Sequence, residues 1–184
     1  MLSAIRVRPA RWPDDVGQVA TIDGSYTTDR VYRLQRDELA FRLIPEAVDP
    51  PIAKTYPLPD PDRLRGLPHV AVAEHSGSLV GVVGLELSEW NQRLVIDTIY
   101  VSAGVRGRGV GRALIASAVE FARASGIRCI WLETQTSNYP AVQFYRRCGF
   151  QFVGLDDRLY DPADRRYFLD AETAIFFALD LATA

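Results

Sequence analysis

The stretch that decides the fold is Asp97-Thr98-Ile99-Tyr100-Val101-Ser102-Ala103-Gly104-Val105-Arg106-Gly107-Arg108-Gly109-Val110-Gly111-Arg112-Ala113-Leu114. An apolar strand runs into a glycine- and arginine-rich turn, after which Val110, Leu114, Ala118 and Phe121 recur at helical spacing. The first N–H groups of such a helix have no intrahelical acceptor, and the helix dipole adds partial positive charge at the same place. Gly107, Gly109 and Gly111 let a ligand approach the main chain, while Arg106, Arg108 and Arg112 supply full charges for an anion. The residues alone support two readings, a phosphate-binding helix start and a solvated arginine–glycine turn.

Two phosphate loops are excluded by residue type. A P-loop has lysine and then Ser or Thr after its last glycine, whereas Arg112 and Ala113 follow Gly111. A dinucleotide fingerprint needs a third glycine where Gly107-x-Gly109-x-x-Arg112 has arginine, and here the turn follows several strands and does not close a first βα unit.

Working outward, Arg93–Val101 is the strand that feeds the turn, and it is preceded by the hairpin His69–Glu74 and Ser78–Leu87 around Ser76-Gly77. Beyond the helix, Cys129–Thr134 reads as a strand, Pro140–Cys148 as a short helix closed by Gly149, and Phe150–Tyr160 and Ala174–Leu181 as the last strands. Upstream, residues 4–8 alternate as a first strand, and Pro13-Asp14-Asp15 starts a helix with Val16, Val19, Ala20 and Ile22 on its apolar side. The spacing of Val31, Leu34, Leu39, Phe41 and Leu43 predicts a second helix over Asp29–Ile44. Residues 45–68 hold seven of the eleven prolines and read as a long loop, a lid or wall over a substrate cleft or a passive insertion.

Composition narrows the class. The 184 residues suit a single domain, 1–184, with 48% hydrophobic and 24% charged residues and a net charge of -2. This balance disfavours nucleic-acid binding, and no run is long and apolar enough to span a membrane. Cys129 and Cys148 form no CxxC pair and read as free thiols; with no leader signature, a cytoplasmic location is expected. No histidine cluster suggests a metal.

Arg106-x-x-Gly109-x-Gly111 after Ile99-Tyr100-Val101 resembles the acetyl-CoA signature of the GNAT superfamily of N-acetyltransferases, and Leu132-Glu133-Thr134-Gln135 and Asn138–Phe150 resemble its second half. The resemblance implies an α/β (α+β) GNAT fold. Its parts would be a central mixed, mostly antiparallel sheet of six to seven strands, about four flanking helices and a splayed strand pair at the acetyl-CoA site. It also implies that the main chain from Arg106 to Arg112 (Arg106, Gly107, Arg108, Gly109, Val110, Gly111, Arg112) holds the CoA pyrophosphate. By the same resemblance, Ile99, Tyr100 and Val101 offer backbone N–H to the thioester carbonyl, Asn138 contacts the CoA arm, and Tyr145 protonates the thiolate. Trp90-Asn91, Ile96-Asp97, Leu132-Glu133-Thr134-Gln135, Asp157–Tyr160 and Glu172–Phe176 together are similar, more narrowly, to streptothricin acetyltransferases, which acetylate an amine on the β-lysine part of an antibiotic.

Acetyl transfer to an amine needs a neutral nitrogen, yet a lysine-like amine has a pKa of about 10.4 and arrives charged. Asp97 and Glu133 are the candidate bases, Asp97 favoured toward the acceptor; alternation puts Asp97 on one strand face with Ile99 and Val101. Tyr145 stays protonated near neutrality and can donate, or can simply pack beside Phe144; Asn138 can also cap the helix at Pro140. Asp156, Asp157, Asp161, Asp164 and Asp170 form an acidic stretch that draws a cation or is a solvated loop, and Tyr26, Tyr32 and Trp90 could stack on an amine or serve in packing. The expected partners are acetyl-CoA and a small cationic amine, with no metal, in a monomer or homodimer. A peptide N-terminal or lysine acetyltransferase and a non-catalytic CoA-binding module are the alternatives.

Overall fold

A computed structural model describes residues 5–161 and 172–181. In order along the chain come β1 (Arg6–Pro9), α1 (Val16–Val19), β2 (Tyr26–Asp37), β3 (Ala40–Lys54), α2 (Pro61–Arg65), β4 (His69–His75) and β5 (Ser78–Ser88). They are followed by β6 (Arg93–Val101), α3 (Val110–Ala124), β7 (Cys129–Gln135), α4 (Tyr139–Arg147), β8 (Gln151–Asp156) and β9 (Ala174–Asp180). A seven-stranded sheet has the order β1-β4-β5-β6-β7-β9-β8, and β2 and β3 form a second, two-stranded sheet. The pairings β1-β4, β4-β5, β5-β6 and β8-β9 are antiparallel and β6-β7 is parallel, which is the mixed sheet expected, with four helices.

The chain divides into two compact units, neither continuous in sequence. One takes in residues up to Gly24, Tyr56–Trp131 and Leu179 onward; the other takes in Ser25–Thr55 and Leu132–Ala178. In the first unit, Val19, Ile22, Leu64, Val70, Val72, Leu79 and Val82 form a buried apolar cluster, with Trp12, Leu67 and Tyr100 packed against it. Gly84 lets α2 lie against β5, since a Cβ there would come within 2.7 Å of Leu64 and Leu67 side-chain carbons. In the second unit the Tyr145 ring sits 5.8 Å from Phe150 and 6.4 Å from Phe177. These aromatic contacts join α4 to β9 and supply the large buried areas on which such a unit depends.

The helix expected over Asp29–Ile44 is a hairpin. β2 and β3 pair from Tyr26↔Lys54 to Asp37↔Ala40, and Glu38 takes a left-handed φ of 41° in the two-residue turn. The β-branched and aromatic residues Tyr26, Thr27, Thr28, Val31 and Tyr32 suit a strand, and the i, i+3 spacing of Val31 and Leu34, which reads as helical, puts the two on opposite faces of β2.

The long loop expected over residues 45–68 is, in turn, largely regular structure, because its prolines fall where no ladder donor is needed. The Tyr32 N–H points away from β3 to the Thr136 carbonyl at 2.8 Å, so Pro45 opposite it forfeits no bond. Pro50 and Pro51 lie in the register break between Thr28↔Ile52 and Arg30↔Ala47. Pro61 opens α2, whose cap Asp60 accepts a hydrogen bond from the Asp62 N–H at 2.9 Å.

Candidate active site

At the start of α3 the first intrahelical bond runs from the Ala113 N–H to the Gly109 carbonyl at 3.0 Å. The N–H groups of Gly109, Val110, Gly111 and Arg112 precede it and project from the helix end. Gly107 and Gly109 have φ of 77° and 91°, a left-handed region costly for other residues, and a Cβ at either position would meet nothing within 4 Å. The turn is therefore an open backbone cradle at a helix start, of the general kind that binds anions. Arg106 holds it in place. Its Nε donates to the Val101 carbonyl at 2.8 Å and its guanidinium reaches the Asp23 carbonyl at 3.3 Å, while burial lowers its pKa from the ordinary value. The charges left facing outward are Arg108 and Arg112, both exposed.

The strand feeding this turn has a bulge at Asp97. Ile96 pairs with Leu85 and Thr98 with Gly84, so Asp97 has no partner on β5. A bulge breaks the alternation of faces and re-aims the extra side chain. Asp97 accordingly lies beside Thr98, whose Oγ1 donates to Asp97 Oδ2 at 2.9 Å, and it faces α2. Ile99 and Val101 take the opposite face: Val101 pairs with Gly81, whose Cβ would meet Leu114 and Val110 of α3 at 3.1 Å. The face expected for Asp97, shared with Ile99 and Val101, is thus corrected to the Thr98 and Tyr100 face. Because the Ser102 N–H bonds the Val80 carbonyl at 2.9 Å, the alternate N–H groups of Ile99 and Val101 point away from β5. Both lie past the end of the β6–β7 ladder, which spans only Arg93–Val95 against Cys129–Trp131.

Asp97 is held as a carboxylate. Arg63 of α2 bonds both oxygens, Nε to Oδ2 at 3.2 Å and a terminal nitrogen to Oδ1. Burial would raise the Asp97 pKa, but the Arg63 and Thr98 hydrogen bonds and the Arg63 charge outweigh it and leave the group below its ordinary value. Such a carboxylate is a weak base.

Glu133, on β7 in the second unit, is placed differently. Its Oε1 accepts the Tyr160 O–H and the Gln135 amide, the latter at 3.2 Å. Burial is the largest influence and pushes its pKa up; the two hydrogen bonds and the nearby Lys54 charge oppose this, and the Glu172 charge adds to it. Alongside it, Lys54 Nζ bonds both oxygens of Glu172 at 2.6 Å, with both side chains only 3% exposed. Ser137 Oγ donates to Glu172, and Tyr26 and Ser137 hydroxyls meet at 3.1 Å. Burial lowers the Lys54 pKa, against the pull of Glu172 and Glu133.

Asn138 caps α4, its Oδ1 accepting from the Ala141 N–H at 3.2 Å, and about two turns later Tyr145 is buried with its ring against Phe144, Phe150 and Phe177. The three aromatics that could stack on an amine have these surroundings. Tyr26 joins Ser137, Tyr32 lies 5.3 Å from the Tyr139 ring and accepts from Gln143 at 2.6 Å, and Trp90 is 87% exposed. Of the acidic stretch, Asp157 pairs with Arg36, and Asp164 and Asp170 lie outside the described residues. Among the described residues, Cys129 and Cys148 are unbridged, no group of three or more His, Cys, Asp or Glu is arranged to hold a metal ion, and no helix is long and apolar enough to cross a membrane.

An open glycine cradle at a helix start, fed by a bulged strand whose neighbour pairs with it for three residues, agrees with the family resemblance. Residues 29–150 match the acetyltransferase (GNAT) family. The chain belongs to that family. This acetyltransferase is 40% identical to a streptothricin acetyltransferase of Streptomyces lavendulae, over 86% of its own length and 87% of the relative's. It is also similar to the crystal structure of nourseothricin acetyltransferase, with a TM-score of 0.84 and 39% identity, covering 97% of this chain and 99% of that one. A candidate streptothricin acetyltransferase from Bacillus anthracis, solved with acetyl coenzyme A, superposes with a TM-score of 0.83 at 26% identity, over 97% of this chain and all of that one. Acetyl-CoA is the acyl donor of this enzyme.

Two polar residues of the site region carry no signal in the sequence: Arg63, inside the proline-rich segment, and Lys54, at the end of a strand read as loop. Gln135, Tyr160 and Glu172 lie in stretches that resemble the streptothricin enzymes, but only the fold brings them to Glu133 and Lys54.

Proposed function

We propose that this acetyltransferase moves the acetyl group of acetyl-CoA directly, in a ternary complex, to a primary amine of a small cationic antibiotic of the streptothricin class. The observation that carries this reading is 40% identity, across most of both chains, with a streptothricin acetyltransferase. The α3 cradle from Arg106 to Arg112 takes the pyrophosphate, and the outward Ile99 and Val101 N–H groups take the thioester carbonyl oxygen as negative charge develops on it. Glu133 is the base. Its raised pKa suits proton removal near neutrality better than the depressed one of Asp97, which reverses the order of preference that the sequence suggested.

Glu133 takes one proton from the acceptor ammonium, and the freed amine attacks the thioester carbon. As the C–N bond forms and the C–S bond breaks, Tyr145 gives its phenolic proton to the sulfur and recovers one from the second N–H of the new amide nitrogen. The net products are the amide, the CoA thiol and one proton, held by Glu133 until solvent removes it. Asp97 keeps α2 on β6 through Arg63.

Thiol release measured over streptothricin, polyamines, aminoglycosides and short peptides tests the reading. Turnover is expected with streptothricin far above the rest; turnover on peptides alone would replace the antibiotic with a protein acceptor. CoA is also expected to raise the melting temperature, and a flat titration would remove the donor assignment.

A further inference from the structure

The two oxygens of Glu133 differ in their surroundings. Oε1 accepts the Tyr160 hydroxyl and the Gln135 amide, whereas no partner is seen for Oε2 among the described residues. The Gln135 amide also hydrogen-bonds Tyr160, so the three side chains form a closed triangle. Gln135 is buried on the same strand as Glu133, two residues on, while Tyr160 comes from the segment after β8. A long, mobile glutamate side chain held by one oxygen has its other oxygen set in direction, which is what a base must offer a small, freely rotating ammonium group.

We propose that Tyr160 is a positioning residue for the acetyl-transfer reaction, fixing Glu133 through Oε1, with Gln135, so that Oε2 is the oxygen that receives the acceptor's proton. The inference rests on Glu133 being the base. Tyr160 suits the task because it remains a donor: burial, and then the Glu133 charge, push its pKa far above the ordinary value, so the phenol keeps its proton wherever the enzyme works. The other groups acting on the pair are Lys54 from β3, whose charge favours the Glu133 carboxylate, and Glu172 before β9, whose charge opposes it. Neither hydrogen-bonds Glu133, and neither is altered by removing the Tyr160 hydroxyl.

The experiment is the pH profile of kcat/KM for streptothricin with the full-length enzyme, comparing the unaltered protein with Tyr160→Phe, Gln135→Met and Glu133→Gln. Phenylalanine keeps the ring and deletes one donor to the carboxylate. The acid limb is expected to move up by about one pH unit, because the Tyr160 hydrogen bond favours the charged carboxylate and its loss raises the Glu133 pKa. At the plateau kcat is expected to fall about tenfold while KM for acetyl-CoA stays put. Gln135→Met is expected to move the limb the same way, which keeps the test open if Tyr160→Phe folds poorly in a melting experiment. An acid limb unmoved in both variants, with Glu133→Gln inactive, would overturn the role of Tyr160 and leave Glu133 as the base. Glu133→Gln with ordinary turnover and an unchanged limb would instead overturn the base assignment, and this inference with it.

Discussion

The segments around Asp97 and Glu133 place the same chemical group in two opposed settings. Asp97 sits at a bulge, where an arginine on a neighbouring helix, itself 63% exposed, holds both carboxylate oxygens. Glu133 sits on an unbroken strand among a phenol, an amide and a buried lysine–glutamate pair. One pKa is pulled down by a positive partner and the other is pushed up by burial. A carboxylate whose oxygens are both engaged with arginine is a structural tie, and one held by a single oxygen is a base in waiting. Sequence position does not separate them, since both are acidic residues on the strands that precede and follow α3 in the chain; their partners do.

The buried pair beside Glu133 offers the largest effect. Lys54→Met leaves the Glu172 carboxylate buried without its cation, and chemical denaturation is expected to show a loss of about 3–5 kcal/mol. Lys54→Met with Glu172→Gln is expected to regain most of it; equal destabilisation of single and double variants would mean that the pair does not act as a unit. Tyr145→Phe comes next. Turnover is expected to drop about a hundredfold with CoA thermal shifts retained, since the phenyl ring still packs on Phe150 and Phe177. Undiminished turnover would return Tyr145 to a packing role alone.

Gly109→Ala is a smaller perturbation on the donor side. A Cβ at a φ of 91° is expected to destabilise the fold by about 1–2 kcal/mol and weaken CoA binding, read by melting and by titration, with no change in the pH profile. A shifted profile would couple the cradle to the base. The smallest effect belongs to Asp97→Asn. Because the folded pKa of Asp97 is depressed, its contribution is present above the unfolded value of about 3.9 and is lost as pH falls through the folded value. The difference in stability between Asp97→Asn and the unaltered protein should therefore vanish in acid and stay under about 1 kcal/mol near neutrality, as exposure of Arg63 screens the pair. A difference that grows as pH falls would contradict the sign.

From His69 to Gly149 the chain is legible because strand alternation, helical spacing and glycine stops agree with one another. β6 is found at Arg93–Val101, where its apolar pattern puts it, and α4 begins at the cap Asn138. Between Tyr26 and Lys54 they conflict. Prolines that normally exclude strands sit at a register break and opposite a residue whose N–H faces outward, facts of pairing that no local pattern records. The candidate site divides in the same way. The glycine cradle is written in contiguous residues, whereas Arg63 reaches Asp97 over 34 residues and Tyr160 reaches Glu133 over 27. One extra residue in β6 turned Asp97 to the other face, a change that strict alternation cannot anticipate.

The most direct test of the difference between the two carboxylates is to measure kcat/KM for streptothricin with Asp97→Asn and Glu133→Gln side by side at neutral pH and saturating acetyl-CoA. A loss of about 10²–10⁴ is expected for Glu133→Gln and of less than about tenfold for Asp97→Asn. The reverse order, or equal losses, would mean that Glu133 is not the base.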